Sequence, residues 1–238
     1  MTKYCKTIME YMDCPCEVFE NEKDYSVIYK RYSQLYEEGK ENGFTPLIIS
    51  VDDLTAENFD DSGVKLNISK IKSQRVSDIE KAGKLDLSDV LPEYKPEYES
   101  DFGEFDAEYS GSINKFECIS NFNGGLVKEI IIARIPTDKP WELAVYAPMG
   151  GFNECPVPEE QAAVFKHWYE KYGAVPAAVS YDVWELYVQN PVSDRKTAME
   201  LAYEMCCFCS DIVEQGVGTI GALAGSIVDS HIWYFWWD

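Results

Sequence analysis

The chain has 238 residues, a net charge of −21, eight Cys and two His. That length suits one large domain or two small ones and buries a core without help from disulfides or metal. So negative a chain repels phosphate backbones, which excludes nucleic acid as the expected partner. The charge itself reads first as a solubility device and second as a means of steering a basic protein partner.

Met1–Glu10 has no apolar signal-peptide core, and no stretch is apolar and long enough to span a membrane. The expectation is therefore a cytoplasmic protein with reduced thiols. Residues 1–22, with Cys14-Pro15-Cys16, read as weakly structured. Asp24–Lys40 reads as a helix, since Ile28, Tyr32, Leu35 and Tyr36 fall at helical spacing and Gly43 follows as a stop. Pro46–Val51 is a short apolar strand. Asp52 or Asp53 caps a brief helix over Leu54–Phe59, and Ile68, Ile71, Val76 and Ile79 mark another before Gly83.

Asp86–Glu108 is acidic, holds Pro92 and Pro96, and spaces Tyr94, Tyr98, Phe102, Phe105 and Tyr109 at intervals of three or four. It is either an acidic-aromatic arm for a basic surface or a loop pinned by its rings; the prolines and Gly103 favour the loop. Beyond it, Lys128–Ile135 and Trp141–Ala147 read as strands. Pro158–Tyr172 reads as a helix, with proline near its first position and acids in its first turn. Ala174–Ser180 and Val183–Val188 form a hairpin about Tyr181-Asp182. Ser193 or Asp194 caps a helix to about Cys209, a glycine-bearing helix covers Val217–Asp229, and His231–Trp237 is the last strand. The run Trp233-Tyr-Phe-Trp-Trp237 marks that strand as core, since an end so aromatic does not fray, and the module is expected to be complete at Asp238.

The chain thus divides into a small α/β region over 1–85, an acidic linker or long loop over 86–125, and an α+β domain over 126–238. From Trp141 the order is β-α-β-β-α-(α)-β. The expected fold is a ferredoxin-like split β-α-β sandwich with an extra strand and helix, preceded by the smaller α/β region. That topology sets Asn153, Glu154, Cys155, Asp182, Asp211, Gln215 and His231 at one end of the sheet, where loops on a rigid scaffold build sites. Cys155 precedes a helix N-terminus, which favours a thiolate; His231 would serve as its base and Asp182 or Asp211 would orient the His. Glu154 joins these as a catalytic candidate, and Asn153, Asp211 and Gln215 are candidate ligand-binding residues. The plainer reading is that Asn153 and Glu154 cap the turn and Cys155 is small buried filler.

Cys206 and Cys209 share a helix face and are weak metal candidates, with Cys14 and Cys16 as further ligands; paired Cys-x-x-Cys spacing is missing, so core filler is preferred. His167 reads as a hydrogen-bonded packing residue. Asp182-x-x-Glu185 reads as ordinary turn chemistry. There is no dinucleotide or phosphate loop, no zinc-protease helix and no nucleophile elbow, so no cofactor is expected.

Gly150-Gly-Phe-Asn-Glu-Cys-Pro156, Trp168-Tyr-Glu-Lys-Tyr-Gly-Ala174, Asp182-Val-Trp-Glu-Leu186, Asp211-Ile-Val-Glu-Gln215 and Trp233–Asp238 together resemble a bacterial family known as domain of unknown function 4253. The likeness spans about residues 128–238. It implies a bacterial cytoplasmic protein and brings no activity, cofactor or catalytic residue. Three functions stay open. The favoured one is a non-catalytic acidic protein-binding module, in the manner of an immunity protein that covers a basic partner. The alternative is a small-molecule binder or hydrolytic enzyme at the Gly-Gly-Phe-Asn-Glu-Cys-Pro loop. The third is a structural metal on the cysteines.

Overall fold

The computed structural model describes residues 1–60, 66–93, 102–109, 113–121 and 123–238. It is an α+β protein built on one mixed sheet. The amino-terminal stretch is ordered: α1 (Lys3–Met12) is capped by Thr2, and β1 (Cys16–Glu20) follows it. Cys5, Ile8 and Met12 line one buried side of α1. That spacing of three and four is the amphipathic signal that the short length and mixed polarity of 1–22 obscured. α2 (Tyr25–Asn42) is capped by Asp24 and stopped by Gly43 in the left-handed conformation. Then come β2 (Thr45–Val51), α3 (Asp53–Phe59), α4 (Ile68–Ala82) and α5 (Leu87–Val90).

β3 (Glu129–Ile135) opens the second half. Trp141–Ala147 is not a strand. It is a 3₁₀ turn over Pro140–Glu142 running into α6 (Leu143–Tyr146). Pro140 at the first helical position pre-sets the turn, and the consecutive burial of Leu143, Ala144 and Val145 suits a helix under a core better than an alternating strand. α7 (Pro158–Tyr172), β4 (Ala174–Val179), β5 (Val183–Val188), α8 (Arg195–Phe208), a π-helical turn (Ile212–Val217), α9 (Ile220–Ile227) and β6 (Ile232–Trp236) complete the order.

The sheet order is β1-β3-β2-β4-β5-β6. Among the described strands only β2 and β4 are parallel neighbours; the other pairs are antiparallel. The ferredoxin-like order is therefore not seen. Trp141–Ala147 is outside the sheet, and the strand beside β4 is β2, from the amino-terminal half. β2 is buried along its whole length, as its apolar run requires of a central strand.

Alternation along the strands splits the interior in two. On one face Leu47, Ile49, Ile131, Ala133, Trp184, Leu186, Trp233, Phe235 and Trp237 pack under α1, α3 and α6–α9. On the other, Ile48, Ile130, Ile132, Ala178 and Ile232 pack under α2 and the segment of Phe116 and Ile119. The terminal aromatics are core, as expected: Trp168 stacks on Phe235 at 5.2 Å and meets Phe208 edge-on at 5.2 Å.

The acidic segment is pinned where it is described. Phe102 stacks on Tyr203 at 6.2 Å, and the Arg195 guanidinium sits 5.0 Å from the Phe105 ring. Its backbone zips to α9: Gly221 N–H donates to Phe102 O, and Asp106 N–H to Gly221 O. A Cβ on Gly221 would lie 1.9 Å from Glu104 O, so the glycines of α9 are there to admit this chain. Tyr94 and Tyr98 lie outside the described residues. Among the described residues no helix is long and apolar enough to cross a membrane.

Candidate acidic cleft at the end of the sheet

The Gly150–Pro156 loop is shaped from within. Gly150 (φ +123°), Gly151 (φ +76°) and Asn153 (φ +46°) all take left-handed backbone. A Cβ on Gly150 would fall 2.2 Å from Pro156 O and 2.3 Å from Gln161 Nε2. The wholly buried Gln161 donates Nε2–H to Met149 O (2.8 Å) and Pro156 O (2.7 Å), clamping both arms of the loop. Phe152 stacks on Tyr181 at 5.6 Å, tying the loop to the hairpin. Glu160 accepts from the Val157 N–H at the start of α7.

Most of the residues expected at this end are there. Asn153 Nδ2 donates to Asp238 O. Asp238 N–H donates to Asp211 Oδ2 (3.0 Å), whose other oxygen accepts from Gln215 Nε2 (3.0 Å). Asp182 accepts from Trp236 Nε1 (3.0 Å), and its own carbonyl accepts from Trp237 N–H. Burial holds the Asp182 carboxyl above its ordinary range, against the pull of the Trp236 and Ser180 donors. Cys155 is buried with its thiol 3.6 Å from Gln161 Nε2, and burial followed by the nearby Cys209 thiol pushes its pKa well up.

His231 is the exception. Its Nδ1 lies 2.8 Å from Val188 O, at the far end of β5, about 20 Å of strand from Asp182. The expected order carried the chain up one crossover and left it there. In the structure α8 climbs to Cys209 and α9 packs back along α8, so β6 starts at the opposite end and runs up. The Cys155–His231 pairing is thereby broken, and burial favours the neutral thiol at Cys155.

Cys209 donates its thiol to Trp236 O at 3.0 Å and is pushed up to about 12 by burial; Cys206 is buried beside the same core. Among the described residues no group of three or more His, Cys, Asp or Glu is placed to hold a metal ion. His167 is a hydrogen-bonded packing residue: its Nε2 and Trp168 Nε1 each lie 3.1 Å from Glu204 Oε2.

Beside this network opens a cleft of about 690 Å³. Its walls are the 151–157 loop, α5 with Glu93, the end of α8 and Trp237. Five acidic residues line it, Asp89, Glu93, Glu154, Glu160 and Glu214, together with Cys155, Cys206 and Cys207. No Lys, Arg or His is among its described lining residues. Glu154 and Asn153 were legible from the sequence; Asp89, Glu93, Glu160, Cys207, Glu214 and Trp237 were not, because the contributing segments are far apart in the chain. For Asp89 and Glu93 the acidity of the 86–108 segment was the visible trace.

The loop, the hairpin, the Asp211–Gln215 turn and the aromatic strand that meet here all lie within residues that match one family model. Residues 131–238 match the family model Domain of unknown function (DUF4253). Comparison with the curated proteins gave no match, and neither did comparison with the solved structures. The DUF4253 region supplies most of β3, all of β4–β6 and most of the cleft, while α5 and Glu93 reach it from outside that region.

Proposed function

We propose that the protein is an acidic binding module whose DUF4253 end receives a basic side chain, Lys or Arg, from a partner protein. The cleft carries this reading: five acidic residues and no basic one are among the described residues that line a cavity roomy enough to admit a long side chain. Carboxylates gathered in a concave site focus a negative field, which favours a cationic guest and speeds its encounter. The net charge of −21 acts in the same sense at longer range. Covering a basic surface in this way is what an immunity-like role would require.

The competing reading, a small-molecule binder in the same cleft, draws support from the volume, which is within the usual range for ligand sites. A hydrolytic version through Cys155 is disfavoured, since His231 lies at the other end of the sheet and burial raises the thiol pKa.

The test is titration with an arginine-rich peptide, followed by the fluorescence of Trp237 in the cleft wall. Binding should weaken with added salt, and Glu93→Gln with Glu154→Gln should lower affinity more than Glu37→Gln with Glu41→Gln on the exposed flank of α2. Equal losses from the two pairs would mean diffuse charge attraction and would overturn the cleft as the site.

A further inference from the structure

β6 is the last strand of the sheet, so its outer side has no strand beside it. Which residues face that side follows from the ladder. His231 O accepts from Val188 N–H, and Trp237 N–H donates to Asp182 O, so the odd-numbered residues of β6 turn their backbone groups toward β5. Those of Ile232, Tyr234 and Trp236 therefore turn outward. Two contacts agree with this: Ile232 N–H donates to Ile113 O (3.1 Å), and Trp236 O accepts from the Cys209 thiol (3.0 Å). The edge is thus protected at its first and last residues, as natural sheets require. Tyr234 lies between them, and among the described residues neither its N–H nor its C=O has a partner.

A cavity of about 260 Å³ runs along this outer edge, since Ile113, Ile232, Tyr234 and Trp236 all line it. Its other walls come from Met205 of α8, Ile212 and Val217 of the π-helical turn, and Leu223 and Ile227 of α9. π-helical turns are rare and recur at functional sites. None of the described lining residues is charged, and the hydroxyl of Ser226 in the helix wall already donates to Leu223 O (2.8 Å). Gly216 is exposed and Tyr234 and Trp236 are half-buried, so the cavity opens to solvent past them. It is separate from the acidic cleft: no described residue lines both.

We propose that this cavity binds a flat, neutral heterocycle of two fused rings that carries a cyclic amide, paired edge-on with Tyr234. An apolar cavity of ~150 Å³ takes one benzene ring, so this one has room for two. A strand residue presents its N–H and C=O side by side and pointing the same way, the pattern by which edge residues exchange two hydrogen bonds with a partner. A cyclic amide carries the complementary pair on one edge: its carbonyl accepts from Tyr234 N–H, and its N–H donates to Tyr234 C=O. The remaining ring atoms displace water from the apolar wall of Leu223, Ile227 and Trp233. An anionic ligand is selected against, because the described lining offers no cation and the chain carries a net charge of −21.

The experiment titrates the full chain, labelled with nitrogen-15 at tyrosine, with quinolin-2-one. It reads the backbone amide resonance of Tyr234, assigned by its loss in Tyr234→Phe. That resonance should shift saturably. N-methylquinolin-2-one cannot donate to Tyr234 C=O and should bind about ten-fold more weakly, the factor that one ordinary hydrogen bond supplies. Leu223→Trp, which fills the cavity, should abolish the shift. No saturable shift of Tyr234 up to the solubility of quinolin-2-one, equal affinity for the two compounds, or binding that survives Leu223→Trp overturns the proposal. The two wild-type titrations decide it by themselves, so a Leu223→Trp chain that fails to fold leaves the test intact.

Discussion

Glu185 is a carboxyl buried in the sheet, and the cost of its charge can be read as a pH dependence. It sits on β5 with none of its surface exposed, opposite Tyr234 of β6. Its oxygens accept from Glu117 N–H (2.7 Å) and Cys118 N–H (3.0 Å), so it pins the 3₁₀ turn Glu117–Ile119 to the sheet. Burial raises its pKa and the two amides lower it; burial wins, and the group is pushed up to about 7 from an ordinary value of 4.5. The folded state therefore holds a proton that the unfolded state has lost between those values. The favourable contribution is complete below pH 4.5 and is lost as pH rises through 7. The difference corresponds to about 3 kcal/mol, or roughly 6–12 °C in Tm for a chain of this size. Urea titrations of wild type and Glu185→Gln at intervals from pH 4.5 to 8 measure it. The amide removes the titration, and it also opposes an NH₂ to one backbone N–H, which costs about 1–3 kcal/mol at all pH values. The variant should thus be less stable at pH 5, and the gap to wild type should narrow by about 3 kcal/mol as pH rises. A gap that stays constant across this range would refute the burial argument.

Other perturbations have equally definite outcomes. Gly150→Ala forces a Cβ into Pro156 O and Gln161 Nε2 at φ +123°, and should cost about 2–4 kcal/mol by denaturant unfolding, with the Gln161 clamp broken. Gly221→Ala pits about 1 kcal/mol of helix propensity against the approach of Glu104 O at 1.9 Å; the contact should win, and limited proteolysis should then cut near residues 102–109. Glu17 accepts Arg31 Nη2–H (2.6 Å) and Nε–H (2.7 Å), and is also paired with Arg134; Arg31 first, and then Arg134, hold its pKa down to about 2. Its contribution is present above pH 4.5 and lost as pH falls toward 2, so Glu17→Gln should be less stable at neutral pH and show a shallower acid transition.

The elements with strong local signals were legible in the sequence: α2, α7, α8 and the β4–β5 hairpin follow from periodicity, caps and turn residues. What was not legible was pairing over distance. β2 was found as a strand, yet nothing local says that it inserts between β3 and β4, because its uniformly apolar run fits any central position. Trp141–Ala147 was misread because apolar density was counted without weighing Pro140. The His231 error was one of parity: a single extra helix, α9, reverses the end at which β6 begins. Glu185 had a signal that turn chemistry masked. It is the one charge in Val-Trp-Glu-Leu-Tyr-Val, and a lone carboxylate in an otherwise apolar strand is either at a surface or held by donors.

The cleft gives a last test, because an acidic concavity works against the fold that carries it. Asp89, Glu93, Glu154, Glu160 and Glu214 repel one another across a shared cavity, and their repulsion is part of the free protein's stability. Were the cleft only an accident of packing, neutralising it would be free of consequence for binding. Were it a site, removing charge should stabilise the free protein and weaken its hold on cations together, the trade-off expected where function keeps a strained arrangement. Glu93→Gln with Glu154→Gln should therefore raise Tm by a few degrees at low salt, an effect of about 0.5–2 kcal/mol that shrinks as salt screens the wild-type repulsion. The same pair should bind the arginine-rich peptide less tightly. A gain in Tm without loss of binding, or a loss of both, would break the link between the field in the cleft and the partner it is proposed to receive.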